Sequence, residues 1–144
     1  MNNSLFVYGT LMVPEIQEAL LQRKIKSKDA ILKGFTANCL IYGQYVTEYP
    51  FLKPAQGEEV KGKIIYPITG IDLSIIKYYE GSEYLLAYVS VIVDGKDLDV
   101  PTFMLKKMDR VEYGVKWNYE HFSREYLHSY TTDIIPQLLR NYNM

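Results

Sequence analysis

The chain has 144 residues, of which 48% are hydrophobic and 23% charged, the size and composition of one soluble globular domain that needs neither a metal nor a disulfide to fold. Its sixteen basic and seventeen acidic residues leave a net charge of −1, so it lacks the positive surface by which most proteins bind nucleic acid. No apolar run approaches the roughly 18 residues of a membrane span, and no charged leader precedes an apolar stretch, so we expect a cytoplasmic protein that binds neither a membrane nor nucleic acid.

The first half of the chain predicts one helix among short strands. Residues 5–8 are an apolar run ended by Gly9, which is typical of a strand that leads into a tight turn. Residues 14–23 predict a helix, since Pro14 suits the first turn and apolar side chains recur at helical spacing. Further strands are predicted at residues 30–32, 37–42 and 60–66, with turns at Tyr49-Pro50 and at residues 55–57.

The clearest helix is predicted at residues 69–79. Thr69 can cap its first turn, Asp72 follows three residues later, and Gly81 ends it. Glu80 therefore lies in the last turn of a helix, directly before the glycine at which the helix stops.

A hairpin and a second long helix are predicted after Gly81. Strands at residues 86–93 and 98–105 flank Asp94-Gly95, a dipeptide typical of hairpin turns. The last helix is predicted from residue 118 to about residue 130, and Pro136 limits any helix that follows. Because strands and helices alternate without any repeat, we expect an α+β fold with a single domain over residues 1–144.

Glu80 is the strongest catalytic candidate on local grounds. The negative pole of the helix disfavours an ionised carboxylate there, and partial burial beside Tyr79 and Tyr84 acts in the same direction, so its pKa should be raised. A carboxyl group that titrates near neutral pH can serve as a general acid or base. The alternative is an ordinary surface glutamate at a frayed helix end.

The turn at Tyr8-Gly9-Thr10-Leu11 is the second candidate. Glycine allows the backbone to turn sharply, and successive backbone N–H groups beside a helix can attract a carboxylate or a phosphate. Thr10 adds a hydroxyl group. The alternative is a plain connection from strand to helix.

Two further clusters of titratable side chains have a weaker case. His121, Glu125 and His128 share one helical face and could suggest zinc, but that face should point to solvent, and we predict no metal site. Glu80 and Glu83 could suggest the paired carboxylates of a glycosidase. Their separation cannot be judged across the glycine that ends the helix.

Two sets of residues are predicted to have no chemical role. Cys39 lies in what reads as a buried strand, which makes it a poor catalytic thiol. The basic side chains at residues 23–28 are interpreted as a solvated helix end and loop rather than a phosphate-binding patch.

Together these segments resemble the gamma-glutamylcyclotransferase-like family from about residue 5 to residue 105. The matching motifs are residues 5–11, Tyr49-Pro50 before Pro54, Val60-x-Gly62-x-Ile64, Glu80-Gly81 with Tyr84, and Val89-x-Val91. The tail Tyr113-Gly114 with residues 117–120 resembles the plant avirulence-induced branch and extends the match to about residue 128. Lys77 and Leu86 depart from the pattern, since the family usually has Asp at the first position and often Arg at the second.

The resemblance implies a compact mixed β-barrel of five to seven strands flanked by helices, with residues 113–144 as a helical extension packed on it. It also implies a cofactor-independent enzyme that releases 5-oxoproline from a small γ-glutamyl amine or peptide, with Glu80 as general acid/base. The substrate-binding residues that it implies are Tyr8, Gly9, Thr10, Leu11, Tyr84 and Tyr49.

The same resemblance gives the fourteen tyrosines an expected place. Most should form the barrel wall, and two or three hydroxyls, those of Tyr8 and Tyr84 among them, should face a ligand, with Tyr84 bonded to the substrate or to Glu80. Tyr49 is expected in a loop that borders the site. The alternative function is a non-catalytic protein that binds a small ligand or a partner on the same barrel.

Overall fold

A five-stranded antiparallel sheet forms the centre of the protein, which a computed structural model describes over residues 3–106 and 115–144. The strands are β1 (Leu5–Val7), β2 (Lys26–Tyr42), β3 (Tyr45–Tyr66), β4 (Tyr84–Val93) and β5 (Lys96–Leu105), in the order β1-β3-β2-β4-β5. The predicted α+β class is confirmed, and five strands are within the predicted range. The strand directions are not mixed, because each neighbouring pair is antiparallel.

Helices pack against one side of this sheet. They comprise a 3₁₀ turn (Thr10–Met12), α1 (Pro14–Leu21), α2 (Gly70–Glu80), α3 (Tyr119–Glu125), α4 (Leu127–Ser129), a π-helical turn (Tyr130–Ile134) and α5 (Ile135–Tyr142). Residues of α1, α2 and the C-terminal helices share one apolar cluster with Leu5 and Val7 of β1. None of the described helices has the length and hydropathy that crossing a bilayer requires.

Strands β2 and β3 form one long hairpin, where the sequence predicts shorter strands separated by turns. Their ladder is interrupted between Lys33 and Phe35, where Gly34 adopts a φ of +84°. The predicted turn at Tyr49-Pro50 therefore lies inside β3. Proline is tolerated there because this part of β3 pairs with β2 alone, and its other edge needs no backbone N–H.

The two edge strands of the sheet, β1 and β5, meet without a backbone ladder in the described part of the chain. Two buried side chains connect them instead: the Tyr8 hydroxyl donates to the Phe103 carbonyl at 2.6 Å, and the Thr102 hydroxyl donates to the Phe6 carbonyl at 2.8 Å. The sheet is thus barrel-like, and its last seam is closed by side chains. Its interior is filled by apolar residues, among them Phe6, Leu32, Leu52, Ile64, Val91 and Val100.

Helix α2 is fixed at its N-terminus by the predicted capping pair. The Thr69 hydroxyl accepts from the Asp72 backbone N–H, and the Asp72 carboxylate accepts from the Thr69 backbone N–H, both at 3.0 Å. Asp72 also forms an ion pair with Arg23. The interpretation of the basic run as merely solvated is therefore wrong for Arg23, which also donates to the Pro67 carbonyl at 2.8 Å and so ties the end of α1 to the start of α2.

The C-terminal helical region begins as predicted but runs further. The Asn118 side chain accepts from the His121 backbone N–H at 2.7 Å, and helical structure then continues to Tyr142 with a break at Tyr126. Pro136 does not end it, because the preceding π-helical turn lets Ile135 donate to the carbonyl of Tyr130, five residues back, and proline is accepted at the start of the new helix.

Three further sequence hypotheses concern the C-terminal residues and Cys39. His121, Glu125 and His128 are exposed and do not share one continuous helix, since α3 ends at Glu125. The Tyr113-Gly114 part of the family motif lies outside the described residues. Cys39 is buried in β2, as predicted.

We expect Asp72→Asn to lower the free energy of unfolding by about 1–2 kcal/mol at pH 7, because it removes the charged partner of Arg23. Burial opposes ionisation of Asp72, but bonds from Arg23 and Thr69 outweigh it and lower its pKa. The stabilisation is therefore complete above the unfolded-state pKa and is lost as the pH falls through the folded-state value. Urea unfolding at pH 7 and pH 3 should show the difference shrinking in acid. Asp97→Asn, at an exposed site, is the control, and an equal loss in both variants would contradict the assignment.

Candidate active site

A cavity of about 400 Å³ lies where the end of β1, the end of α2, the start of β4 and the C-terminal helices meet. This volume is in the range of small-molecule sites. Every site residue predicted from the sequence lines it: Tyr8, Gly9, Thr10, Leu11, Tyr49, Glu80 and Tyr84. The fold thus brings together residues that lie up to 76 positions apart in the chain.

The turn after β1 depends on a close approach of Gly9 to Pro50. A Cβ atom on Gly9 would lie 2.2 Å from the Pro50 Cγ, far inside van der Waals contact. The Gly9 carbonyl accepts from the Met12 backbone N–H at 2.9 Å and closes the 3₁₀ turn. In the described residues, no hydrogen bond uses the backbone N–H groups of Thr10 and Leu11 as donors.

Glu80 occupies the last position of α2, and Gly81 ends the helix as predicted, with a φ of +93° that favours glycine. Although the residue as a whole is only half-buried, desolvation of its carboxyl group raises its pKa to about 7. The direction agrees with the sequence prediction, and burial is the cause. Near neutral pH, Glu80 is therefore present in both protonation states.

The negative charge of Glu80 affects the pKa values of three phenol groups in the same cavity. Burial raises the pKa of Tyr8, Tyr79 and Tyr84, and the negative charge of Glu80 raises each of them further. These phenols consequently stay protonated, and each can act only as a neutral hydrogen-bonding group.

The hydroxyls of Tyr8 and Tyr84, which were expected to face a ligand, are instead bonded to backbone carbonyls of the chain. Tyr8 donates to Phe103, and Tyr84 donates to the Pro50 carbonyl at 2.8 Å rather than to Glu80. A buried phenol must find an acceptor, and here the backbone supplies it. Tyr49 stays 44% exposed at the cavity wall, and it lies in strand β3 rather than in the predicted loop.

The cavity also has lining residues that were not predicted as part of the site, and four of them complete its wall. Tyr79 shares a 2.6 Å hydrogen bond with the Thr10 hydroxyl, and Tyr130, Ile134 and Leu138 form a wall from the C-terminal helices. The position of Tyr79 next to Glu80 is the one sequence signal that could have found it. No comparable signal marks the C-terminal wall, since it depends on how the last helices pack.

Metal binding has no support in the part of the chain that the structure describes. It contains no group of three or more His, Cys, Asp or Glu side chains close enough to hold an ion. Glu83, the second carboxylate on the cavity, accepts a hydrogen bond from the Tyr42 hydroxyl at 2.9 Å.

Comparison with known proteins identifies relatives across most of the chain. The model of the family described as gamma-glutamyl cyclotransferase, AIG2-like, matches residues 5–126. The chain belongs to this family. It is similar to AIG2-like protein D of Arabidopsis thaliana, with 29% identity over 131 residues that cover 89% of this chain and 84% of that protein.

Solved structures agree with family membership. A solution structure of an Arabidopsis thaliana protein matches with a TM-score of 0.63 at 28% identity and covers 88% of this chain and 83% of that one. A structure named gamma-glutamyl cyclotransferase matches with a TM-score of 0.60 at 18% identity, over 72% of this chain and 66% of that one. At 18% identity this second likeness shows a shared fold alone.

The two departures from the family pattern lie away from the reacting residues. Lys77 is exposed on α2, and Leu86 packs, half-buried, against the cluster of apolar residues beneath the helices. Neither of them lines the cavity that holds Glu80.

We expect Gly9→Ala to destabilise the protein by about 1–3 kcal/mol, because the added methyl group must displace Pro50. Thermal unfolding measures the change. Gly70→Ala is the matched control, since no atom lies within 4 Å of its added Cβ and alanine is a better helix former. Comparable losses in the two variants would contradict the role given to the Gly9–Pro50 contact.

We expect Glu80→Gln to become more stable than the wild type as the pH rises. The raised folded-state pKa means that wild-type stability is complete below the unfolded value of about 4.5 and falls until about pH 7. The difference between the two proteins should grow over that window by about 1–3 kcal/mol. Urea unfolding at pH 4.5, 6 and 8 measures it, and a constant difference would show that the Glu80 pKa is not raised.

Proposed function

We propose that this protein is a cyclotransferase that converts a γ-glutamyl amine or γ-glutamyl peptide into 5-oxoproline and a free amine. The observation that carries the proposal is Glu80, a carboxyl group with a pKa of about 7 in the wall of a cavity large enough for a small molecule. Membership of the gamma-glutamyl cyclotransferase, AIG2-like family supports it.

The proposed reaction takes its nucleophile from the substrate. The α-amine nitrogen forms a bond to the γ-carbonyl carbon and closes a five-membered lactam, while the bond from that carbon to the departing nitrogen breaks. The protein mainly has to hold the cyclising conformer, and well-oriented groups of this kind reach effective molarities of about 10⁵–10⁸ M.

Proton transfer is the remaining requirement. The α-ammonium group loses two protons on its way to the lactam N–H, and the departing amine gains two and leaves as an ammonium ion. Glu80 takes and delivers these protons one at a time, which its pKa of about 7 permits without a large cost in either direction.

The turn after β1 supplies the complementary donors. The Thr10 hydroxyl and the backbone N–H groups of Thr10 and Leu11 lie in the same cavity wall as Glu80. They would bind the α-carboxylate of the substrate or stabilise the oxyanion that forms at the γ-carbon. Gly9 lets this turn approach Pro50 and also lines the cavity, so it holds these donors beside the substrate.

We expect purified wild-type protein to release 5-oxoproline from at least one member of a panel of γ-glutamyl alkylamines, γ-glutamyl-lysine isopeptides and γ-glutamyl amino acids, measured by mass spectrometry. Glu80→Gln should lose about 10²- to 10⁴-fold in kcat, the usual contribution of a positioned acid/base.

Glu83→Gln is the matched control, because it makes the same chemical change on the same cavity at a carboxylate that is bonded to Tyr42. It should keep turnover within a few-fold of the wild type. Turnover that survives Glu80→Gln would mean that another group moves the protons. An inert wild type that still binds γ-glutamyl ligands would instead identify a non-catalytic binding protein.

A further inference from the structure

The hydroxyls of Thr10 and Tyr79 form a hydrogen-bonded pair in the cavity, and one hydrogen of this pair has no acceptor in the described part of the chain. They lie 2.6 Å apart and share one hydrogen bond. Two hydroxyl groups carry two hydrogens, and one shared bond uses only one of them. Within the described part of the chain neither hydroxyl has another hydrogen-bond partner, so one O–H is left to donate.

This spare donor is carried by side chains that are largely shielded from bulk solvent. Thr10 is only 6% exposed, and Tyr79 is half-buried, while both line the cavity. An unsatisfied donor in such a place costs about 1–3 kcal/mol. Its natural partner is an acceptor atom of a ligand, and a negatively charged acceptor gains most.

The position of this donor beside Glu80 suggests which ligand group it meets. Tyr79 and Glu80 both line the cavity, and burial, together with the nearby negative charge of Glu80, raises the pKa of Tyr79. The cavity therefore presents a donor next to an acceptor carboxylate. An α-amino acid head carries an amine and a carboxylate on one carbon, which is the complementary arrangement.

We propose that the Thr10–Tyr79 hydroxyl pair binds the α-carboxylate of the γ-glutamyl group, with Tyr79 as the positioning residue that directs the Thr10 O–H toward it. The proposal rests on the proposed function for the identity of the ligand. It adds Tyr79 to the site and assigns the pair to the carboxylate rather than to the oxyanion.

The positions of the two oxygens allow the internal bond to run in either direction. A phenol O–H is more acidic than an aliphatic one, so we assign Tyr79 as the donor to the Thr10 oxygen. The Thr10 hydrogen is then free to reach the carboxylate, and donation from Tyr79 polarises it and strengthens that second bond. Loss of the Tyr79 hydroxyl should thus weaken the contact that Thr10 makes, while leaving Thr10 in place.

The test compares ligands that differ only in the carboxylate. γ-Glutamyl amines are paired with 4-aminobutanoyl amides, which have the same reacting atoms but no α-carboxylate, and 5-oxoproline is paired with 2-pyrrolidinone. Turnover is followed by mass spectrometry and binding by NMR titration for the wild type, Tyr79→Phe, Thr10→Val, Thr10→Ser and the double variant Thr10→Val with Tyr79→Phe.

We expect Thr10→Val to raise KM for γ-glutamyl amines about 10- to 100-fold and Tyr79→Phe about 3- to 10-fold, with kcat little changed. Neither change should affect 4-aminobutanoyl amides or 2-pyrrolidinone. The double variant should be no weaker than Thr10→Val alone, because Tyr79 acts through Thr10, and Thr10→Ser should bind like the wild type.

Three results would overturn the assignment. Equal weakening of 5-oxoproline and 2-pyrrolidinone by Tyr79→Phe would show a purely structural role. A fall in kcat at constant KM would assign the pair to the oxyanion. A wild type that binds both ligands of a pair equally would show that no carboxylate is recognised. Selective loss of 5-oxoproline binding in a protein without turnover would keep the carboxylate site and reject only the cyclotransferase activity.

Discussion

The hydrogen bond from the Tyr8 hydroxyl to the Phe103 carbonyl is the contact on which the geometry of the site depends. Strand β1 has only three residues, and its ladder holds it to β3 alone. The opposite edge of the sheet, β5, is joined to β1 by two side-chain hydrogen bonds, and the bond from Tyr8 spans 95 positions of the chain. Because Gly9 and Thr10 follow Tyr8 directly, this bond also sets where the donor turn lies relative to α2.

The tyrosines on the cavity differ in whether the hydrogen of their hydroxyl already has an acceptor within the chain. Tyr84 joins β4 to β3 through the Pro50 carbonyl, and Tyr130 joins the C-terminal helices to Glu48 at 2.9 Å. In each case one phenol hydrogen meets one acceptor within the chain, so these hydroxyls connect distant elements and have no donor left for a ligand. The hydroxyls of Thr10 and Tyr79 differ, because in the described residues each hydroxyl is the only hydrogen-bond partner of the other. The Thr10–Tyr79 pair is therefore set apart from the structural hydroxyls by its one unused hydrogen, not by its position in the cavity.

The features that sequence could predict are those determined within a few residues. Glu80 before Gly81 and the turn at Gly9 are local patterns, and the structure has the helix end and the turn where they were expected. The long hairpin was not predicted because Tyr49-Pro50 and residues 55–57 are typical of turns, whereas both lie within the continuous strand β3. The hydrogen-bond acceptor of Tyr84 was not predicted because it is the carbonyl of Pro50, 34 positions away. The pattern of residues along the chain carries no information on a contact between positions so far apart.

The extent of the family match divides the cavity into two parts. Thr10 and Glu80 lie inside the matched residues 5–126, so family membership bears directly on the acid/base chemistry proposed for them. Ile134 and Leu138 line the same cavity from beyond residue 126. They present apolar side chains, and the hydroxyl of the adjacent Tyr130 already donates a hydrogen bond to Glu48. A ligand that contacts this wall gains from hydrocarbon surface and not from charge. The acid/base chemistry proposed for Glu80 thus lies within the family match, whereas the apolar wall that would contact the rest of the ligand lies outside it.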